Sequence, residues 1–128
     1  MEADVATLRT LAAAVKAAAT EASTACGWWG AGEAEPASKR AKAAERALGR
    51  AEALLVSLSA GKPFHSRRVR LGYKALEKAR EAVELCAEPD TRMDGESRAS
   101  AAIRAADAIL AEMVDKPAPA ATEAAESP

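Results

Sequence analysis

Cysteine and histidine, which are frequent nucleophiles and metal ligands, are scarce in this 128-residue chain. The chain has two cysteines, Cys26 and Cys86, and one histidine, His65. They lie far apart in the sequence and lack the closely spaced ligand pairs of a zinc site. The sequence also shows no phosphate-binding glycine loop, nucleophile elbow or paired-carboxylate signature. We therefore predict no catalytic residue, metal, cofactor or small-molecule substrate, and we do not class the chain as an enzyme.

The two cysteines are predicted to be buried free thiols. Both fall near the C-terminal ends of predicted helices, at core-facing positions where free cysteine behaves as a small hydrophobe. A disulfide would need Cα atoms within about 7 Å of each other, which is difficult for helices placed diagonally in a bundle. Two cysteines are too few for a disulfide scaffold, and the acidic N-terminus does not resemble a secretory signal. These observations predict a cytoplasmic location.

Lysine and arginine are concentrated in the middle of the chain. Residues 37–80 hold twelve basic and three acidic side chains, a charge of +9, whereas the whole chain has a net charge of −1. Many of these basic residues recur three and four positions apart, which places them along one side of a helix. The first basic stripe is Lys39, Lys42, Arg46 and Arg50, and the second basic stripe is Arg67, Arg70, Lys74 and Lys78.

Three interpretations of the basic stripes stay open. They could complement acidic helices of the same molecule, or bind an acidic protein partner or a second copy of the chain. They could also bind a nucleic-acid backbone, which requires many cations but no motif, although the pI of about 5.9 is low for that class. We predict a non-enzymatic adaptor or assembly subunit that contacts an acidic macromolecule through these residues, with nucleic-acid binding as the alternative.

Trp28 and Trp29 are adjacent and lie between Gly27 and Gly30. The glycines predict a loop over residues 27–36, since glycine gives the backbone wide conformational freedom. The indoles would then either cap the end of the bundle or form an exposed anchor for a partner, because tryptophan is enriched at binding hot spots. We include both tryptophans among the predicted partner-binding residues.

Four helices are predicted to position these residues. Apolar side chains spaced alternately three and four apart indicate a core-facing seam on each helix. Glycine and proline residues mark the helix ends, and Ser66 and Asp94 are predicted N-caps. The predicted helices span about 3–25, 36–60, 66–87 and 95–115. Residues 116–128 have too little apolar bulk to pack and are predicted to be disordered.

The predicted core is rich in alanine and therefore thin. The chain has 36 alanines but only 19 Leu, Ile, Val and Phe residues. Short connections between the helices predict an all-α, up-down-up-down four-helix bundle in residues 1–115. A three-helix core with a loosely docked first helix is the structural alternative. No apolar run approaches the roughly 18 residues needed to cross a bilayer, so no membrane association is expected.

Overall fold

A computed structural model describes residues 2–59 and 67–115 of the chain. The helices are α1 (Glu2–Gly30), α2 (Ala34–Ser59), α3 (Arg67–Leu85) and α4 (Arg92–Asp115), and a short 3-10 turn (Pro89–Thr91) precedes α4. The prediction of an all-α four-helix bundle is confirmed. The predicted disorder of residues 116–128 and the predicted cap at Ser66 lie outside the described residues.

Ion pairs between the helices show that α1 and α2, and likewise α3 and α4, run in opposite directions. Glu21, late in α1, pairs with Arg40, early in α2, at 3.0 Å. Arg67, at the start of α3, pairs with Glu112, near the end of α4, also at 3.0 Å. Each pair joins opposite ends of two consecutive helices, as the up-down-up-down arrangement requires.

α1 is the central helix of the bundle. It packs against α2, α3 and α4. Leu8, Leu11 and Val15 of α1 are fully buried and belong to the main hydrophobic core. The alternative of a three-helix core with a loosely docked first helix is therefore wrong.

Small residues let α3 approach α1 across the bundle. Ala79 and Ala82 of α3 are fully buried. A Cβ atom added to Gly72 would lie 3.0 Å from side-chain carbons of both Leu11 and Leu55. The α1–α3 diagonal is consequently short, and α2 and α4 lie on either side of it.

The predicted seams face the core in α1, α2 and α3, but the seam of α4 is displaced by one residue. The heptad spacing of α4 predicts a seam of Ile103, Ala106, Leu110 and Met113, widened by Ala102 and Ile109. Ile103 and Leu110 are only half-buried. The buried row of α4 is Ala99, Ala102, Ala106 and Ile109. Three of these four buried residues are alanines, and Ile103 and Leu110 pack against the core from half-buried positions beside them.

α1 ends later than the sequence predicts. The helix continues through Trp28 and Trp29, and Gly32, rather than Gly27, has the left-handed conformation with φ of 78°. The Glu33 N–H donates to the Trp28 carbonyl at 2.9 Å, and the Gly32 N–H donates to the Trp29 carbonyl at 3.1 Å. These two bonds form the Schellman motif that satisfies carbonyls at a helix end. The predicted loop at the two tryptophans is therefore wrong.

α4 begins at Arg92, three residues before the predicted start at Gly95. The 3-10 turn Pro89–Thr91 leads directly into it, and the Arg92 guanidinium donates to the Pro89 carbonyl at 3.1 Å. Asp94 consequently lies inside the helix and is not its N-cap. An acidic residue in the first turn still interacts favourably with the helix dipole.

Candidate interaction surface

The first basic stripe lies on the solvent side of α2. Its exposed side chains are Lys39, Lys42, Arg46 and Arg50. None of the four takes part in the ion pairs between described residues. Arg40, which lies beside the stripe, instead pairs with Glu21 of α1 at 3.0 Å. The stripe therefore presents four cations without an ion-pair partner in the described part of the chain.

The second basic stripe is partly engaged within the molecule. Arg67 pairs with Glu112 of α4 at 3.0 Å, and Arg70 also has an interaction partner. Lys74 is exposed and Lys78 is half-buried, and neither appears in the described ion pairs. The interpretation that basic residues complement the molecule's own acids thus applies to part of this stripe.

An acidic strip separates the two basic stripes. It consists of Glu45 and Glu52 on α2 and of Glu77 and Glu84 on α3, each pair two turns apart on one helix face. The ion pair between Glu52 and Arg80 at 3.0 Å shows that these sides of α2 and α3 lie next to each other. At about 100° per residue, the centre of the basic stripe lies roughly 115° around the helix from the acids on α2 and roughly 75° from them on α3. The two stripes therefore do not form one continuous basic face.

The two tryptophans have different environments. The Trp29 indole N–H donates to the Cys86 carbonyl at 2.9 Å, and its side chain is half-buried. Trp28 is 40 % exposed. The capping interpretation therefore describes Trp29, whereas Trp28 still presents an aromatic surface to solvent.

Cys26 and Cys86 form a disulfide, so the expectation of two free thiols is wrong. Their Cα atoms are 5.4 Å apart, and both residues are buried. That expectation rested on a square bundle in which diagonal helices are too far apart to be bridged. The alanine-lined contact instead brings α1 and α3 within the distance that a disulfide requires.

Groups from three parts of the chain surround the disulfide. Gly95 of α4 packs directly on it, and a Cβ atom added there would lie 3.0 Å from the Cys86 backbone nitrogen. The Thr91 hydroxyl donates to the Leu85 carbonyl, which otherwise lacks a helical partner. We call this end of the bundle, defined by the disulfide, Trp29, Thr91 and Gly95, the disulfide pole.

Between α1 and α2 lies an open, mostly apolar groove that the sequence analysis did not identify. Its volume is about 260 Å³, and its lining is Thr10, Ala13, Ala14, Ala17, Arg50 and Leu54. The sequence does contain a signal for this groove, namely a second row of residues on α1 with alternating three- and four-residue spacing. This small-residue row is Ala6, Thr10, Ala13, Ala17, Thr20, Thr24 and Gly27. Its residues are too small or too polar to stand out beside the core seam. We call this feature the α1–α2 groove.

His65 lies outside the described residues. Within the described residues, no group of three or more His, Cys, Asp or Glu side chains is placed to hold a metal ion. No helix in that part of the chain is long and apolar enough to cross a membrane.

Comparison with protein-family models, curated proteins and solved structures finds no match to this chain. The structure thus defines an alanine-rich four-helix bundle closed by a disulfide, and its function has to be argued from its surface.

Proposed function

We propose that this chain is a non-enzymatic helical interaction module, an adaptor or assembly subunit, that contacts an acidic macromolecule mainly through the first basic stripe. The support is the contrast between the stripe and two neighbouring arginines. Arg40 and Arg80 each have a carboxylate at 3.0 Å, whereas the four stripe cations have none among the described residues. Like charges three or four residues apart destabilise a helix by a few tenths of a kcal/mol per pair. An acidic partner would remove that repulsion.

The rest of the structure suits a rigid carrier for such a surface. The stripe lies on a regular helix that packs against the central α1, so its charges are held at fixed spacing. The buried disulfide supports an oxidising compartment rather than the cytoplasm predicted from the sequence, because cytoplasmic proteins are usually kept reduced. We therefore expect the partner in the same compartment.

The separation of the stripes favours a protein partner over nucleic acid. The first basic stripe covers residues 39–50, which is about 16 Å of helix. The acidic strip beside it would repel a phosphate backbone that continued across to α3. Nucleic-acid binding through the same residues remains the competing proposal and is one arm of the test.

The test reverses the stripe in the variant Lys42→Glu/Arg46→Glu/Arg50→Glu. Binding is measured by fluorescence anisotropy with labelled poly-L-glutamate, and with a duplex and a single-stranded DNA, at several salt concentrations. We expect this variant to bind poly-L-glutamate about tenfold or more weakly than the wild type, because the reversed stripe repels the probe.

The matched control, Arg9→Glu/Arg98→Glu/Arg104→Glu, makes the same change in net charge at exposed positions outside both basic stripes. We expect it to bind poly-L-glutamate within about twofold of the wild type. Equal losses in both variants would show a dependence on net charge only, and the proposal would be wrong. Tight duplex binding that falls steeply with salt and is lost in the stripe variant would replace it with the nucleic-acid alternative.

A further inference from the structure

We propose that the α1–α2 groove binds one amphipathic helix of a partner protein, with acidic residues along one edge. This inference rests on the proposed function and specifies the partner's form. The groove is open to solvent and is lined by small residues of α1 and by Arg50 and Leu54 of α2. A helix laid in such a groove contacts it with residues that recur every three and four positions.

The floor of the groove allows close approach of another helix. The small-residue row on α1 contains only Ala, Thr and Gly. The hydroxyls of Thr10 and Thr24 donate to the carbonyls of Ala6 and Thr20, at 3.0 and 2.9 Å. These donors are satisfied within α1, so an apolar partner surface would leave neither without a hydrogen bond.

One side of the groove carries a positive charge. The α2 wall contains Leu54 and Arg50, the one member of the first basic stripe that lines the groove, and Arg50 has no ion-pair partner among the described residues. The nearest acid of α1 on this side is Glu21, which is already paired with Arg40 at 3.0 Å. A neutral floor beside the Arg50 guanidinium complements a helix that is apolar along its centre and acidic along the edge that faces α2.

The dimensions specify the partner further. The groove lining on α1 runs from Thr10 to Ala17, about 11 Å of helix, and the first basic stripe covers about 16 Å. The occupant is therefore a helix that contacts the groove through about two turns, with its acidic side chains confined to about three turns. A nucleic-acid duplex would contact the basic residues but not the neutral floor of the groove. A disordered acidic tail could likewise bind the basic residues without contacting the floor.

The experiment uses a displayed library of peptides of about 20 residues, with Ala or Leu at heptad contact positions. The edge positions encode Glu, Gln or Lys. The library is selected on the intact, oxidised chain, and the winning peptides are labelled for anisotropy. We expect Glu to be enriched along one edge only. Absence of binders, or enrichment of Glu without positional preference, would overturn the proposal.

Two substitutions test whether the selected peptides occupy the groove. Ala13→Trp fills the groove from an exposed position and should weaken binding about tenfold or more. Ala108→Trp adds the same bulk to an exposed position of α4 and should change affinity by less than about twofold. Circular dichroism confirms the fold of each variant, and Thr10→Trp replaces Ala13→Trp if the latter is unfolded. Unchanged binding to a folded groove-filling variant would overturn the proposal.

Failure of this inference is distinguishable from failure of the proposed function. If Arg50→Glu weakens peptide binding but Ala13→Trp does not, the basic stripe binds acids without the groove. If the selected peptides are not acidic and Arg50→Glu has no effect, the proposed function fails as well. The remaining possible occupant of the groove is a second copy of the chain, which sedimentation of the chain alone would detect as a dimer. A dimer that is lost in Ala13→Trp would assign the groove to a second copy instead.

Discussion

The disulfide pole and the α1–α2 groove differ in how far their polar and reactive groups are already engaged within the molecule. At the pole, both thiols are bonded to each other and the Trp29 N–H donates to the Cys86 carbonyl at 2.9 Å. At the groove, Arg50 has no ion-pair partner among the described residues, and neither have the other cations of the first basic stripe beside it. α1 contributes to both regions, with its C-terminal end at the pole and its outer face along the groove.

This difference suggests that the disulfide pole stabilises the bundle and that the α1–α2 groove binds a partner. An alanine-rich core buries little apolar area per residue, so the hydrophobic term that opposes chain entropy is small. A covalent bond at one end supplies stability that the core lacks. The groove side can then carry unpaired charges and exposed small residues without lowering the free energy of unfolding enough to unfold the bundle. Substitutions at the pole should therefore change stability, and substitutions along the groove should change binding.

The largest expected effect follows removal of the disulfide in the double variant Cys26→Ala/Cys86→Ala. The bond joins residues 60 positions apart, and chain entropy for a loop of that length corresponds to about 4 kcal/mol. This is a large part of the roughly 5–15 kcal/mol by which domains are stable. Urea unfolding followed by circular dichroism should show the loss.

A reductant provides the control for this variant. It should destabilise the wild type by a similar amount and leave the double variant unchanged, because the variant has no disulfide to reduce. If the double variant keeps its free energy of unfolding within about 1 kcal/mol of the oxidised wild type, the core alone holds α1 against α3. The contrast between pole and groove would then lose its energetic basis.

A smaller effect is expected from Gly95→Ala. The added Cβ atom would meet the Cys86 sulfur and lie 3.0 Å from its backbone nitrogen, so α4 would have to move away from the pole. Overpacking of this kind costs about 1–3 kcal/mol, which exceeds the gain of up to about 1 kcal/mol from replacing a helical glycine with alanine. The free energy of unfolding should fall by about 1–2 kcal/mol in urea titrations.

Gly27→Ala is the matched control, because Gly27 is also helical but has open space where its Cβ atom would lie. It should raise the free energy of unfolding by up to about 1 kcal/mol, since only the helix propensity changes. Changes of the same sign in both glycine variants would contradict the close packing of α4 on the disulfide.

The number of helices and most of their core-facing residues could be predicted from the sequence. Spacing of three and four residues identifies buried positions even when most are alanine, as Ala12, Ala19 and Ala22 of α1 show. Residue spacing does not identify the buried positions where two adjacent rows on one helix have the same spacing. In α4, the heptad spacing favours Ile103 and Leu110 for the seam, but Ala102 and Ile109 are the buried residues. Spacing alone does not indicate which of two adjacent rows the neighbouring helices contact.

The disulfide pole could not be predicted, because the contacts that define it are distant in sequence. Two glycines and two tryptophans locally favour a loop, yet the helix continues to Gly30. There Trp29 donates a hydrogen bond to the carbonyl of Cys86, 57 positions away. The disulfide depends on the short α1–α3 diagonal, which no local pattern specifies. The two basic stripes were visible in the sequence, whereas the acidic strip between them required the relative rotation of α2 and α3.

The smallest expected effect on stability comes from reversing the first basic stripe with Lys42→Glu/Arg46→Glu/Arg50→Glu. These side chains are exposed, lie away from the ends of α2 and have no described ion-pair partner, so the free energy of unfolding should stay within about 0.5 kcal/mol of the wild type. Arg80→Glu sets the scale for a paired position, because it breaks the 3.0 Å contact with Glu52 and should cost up to about 1 kcal/mol. If the stripe variant loses more than Arg80→Glu in the same urea titration, the stripe stabilises the bundle itself. Its charges would then no longer be available to a partner.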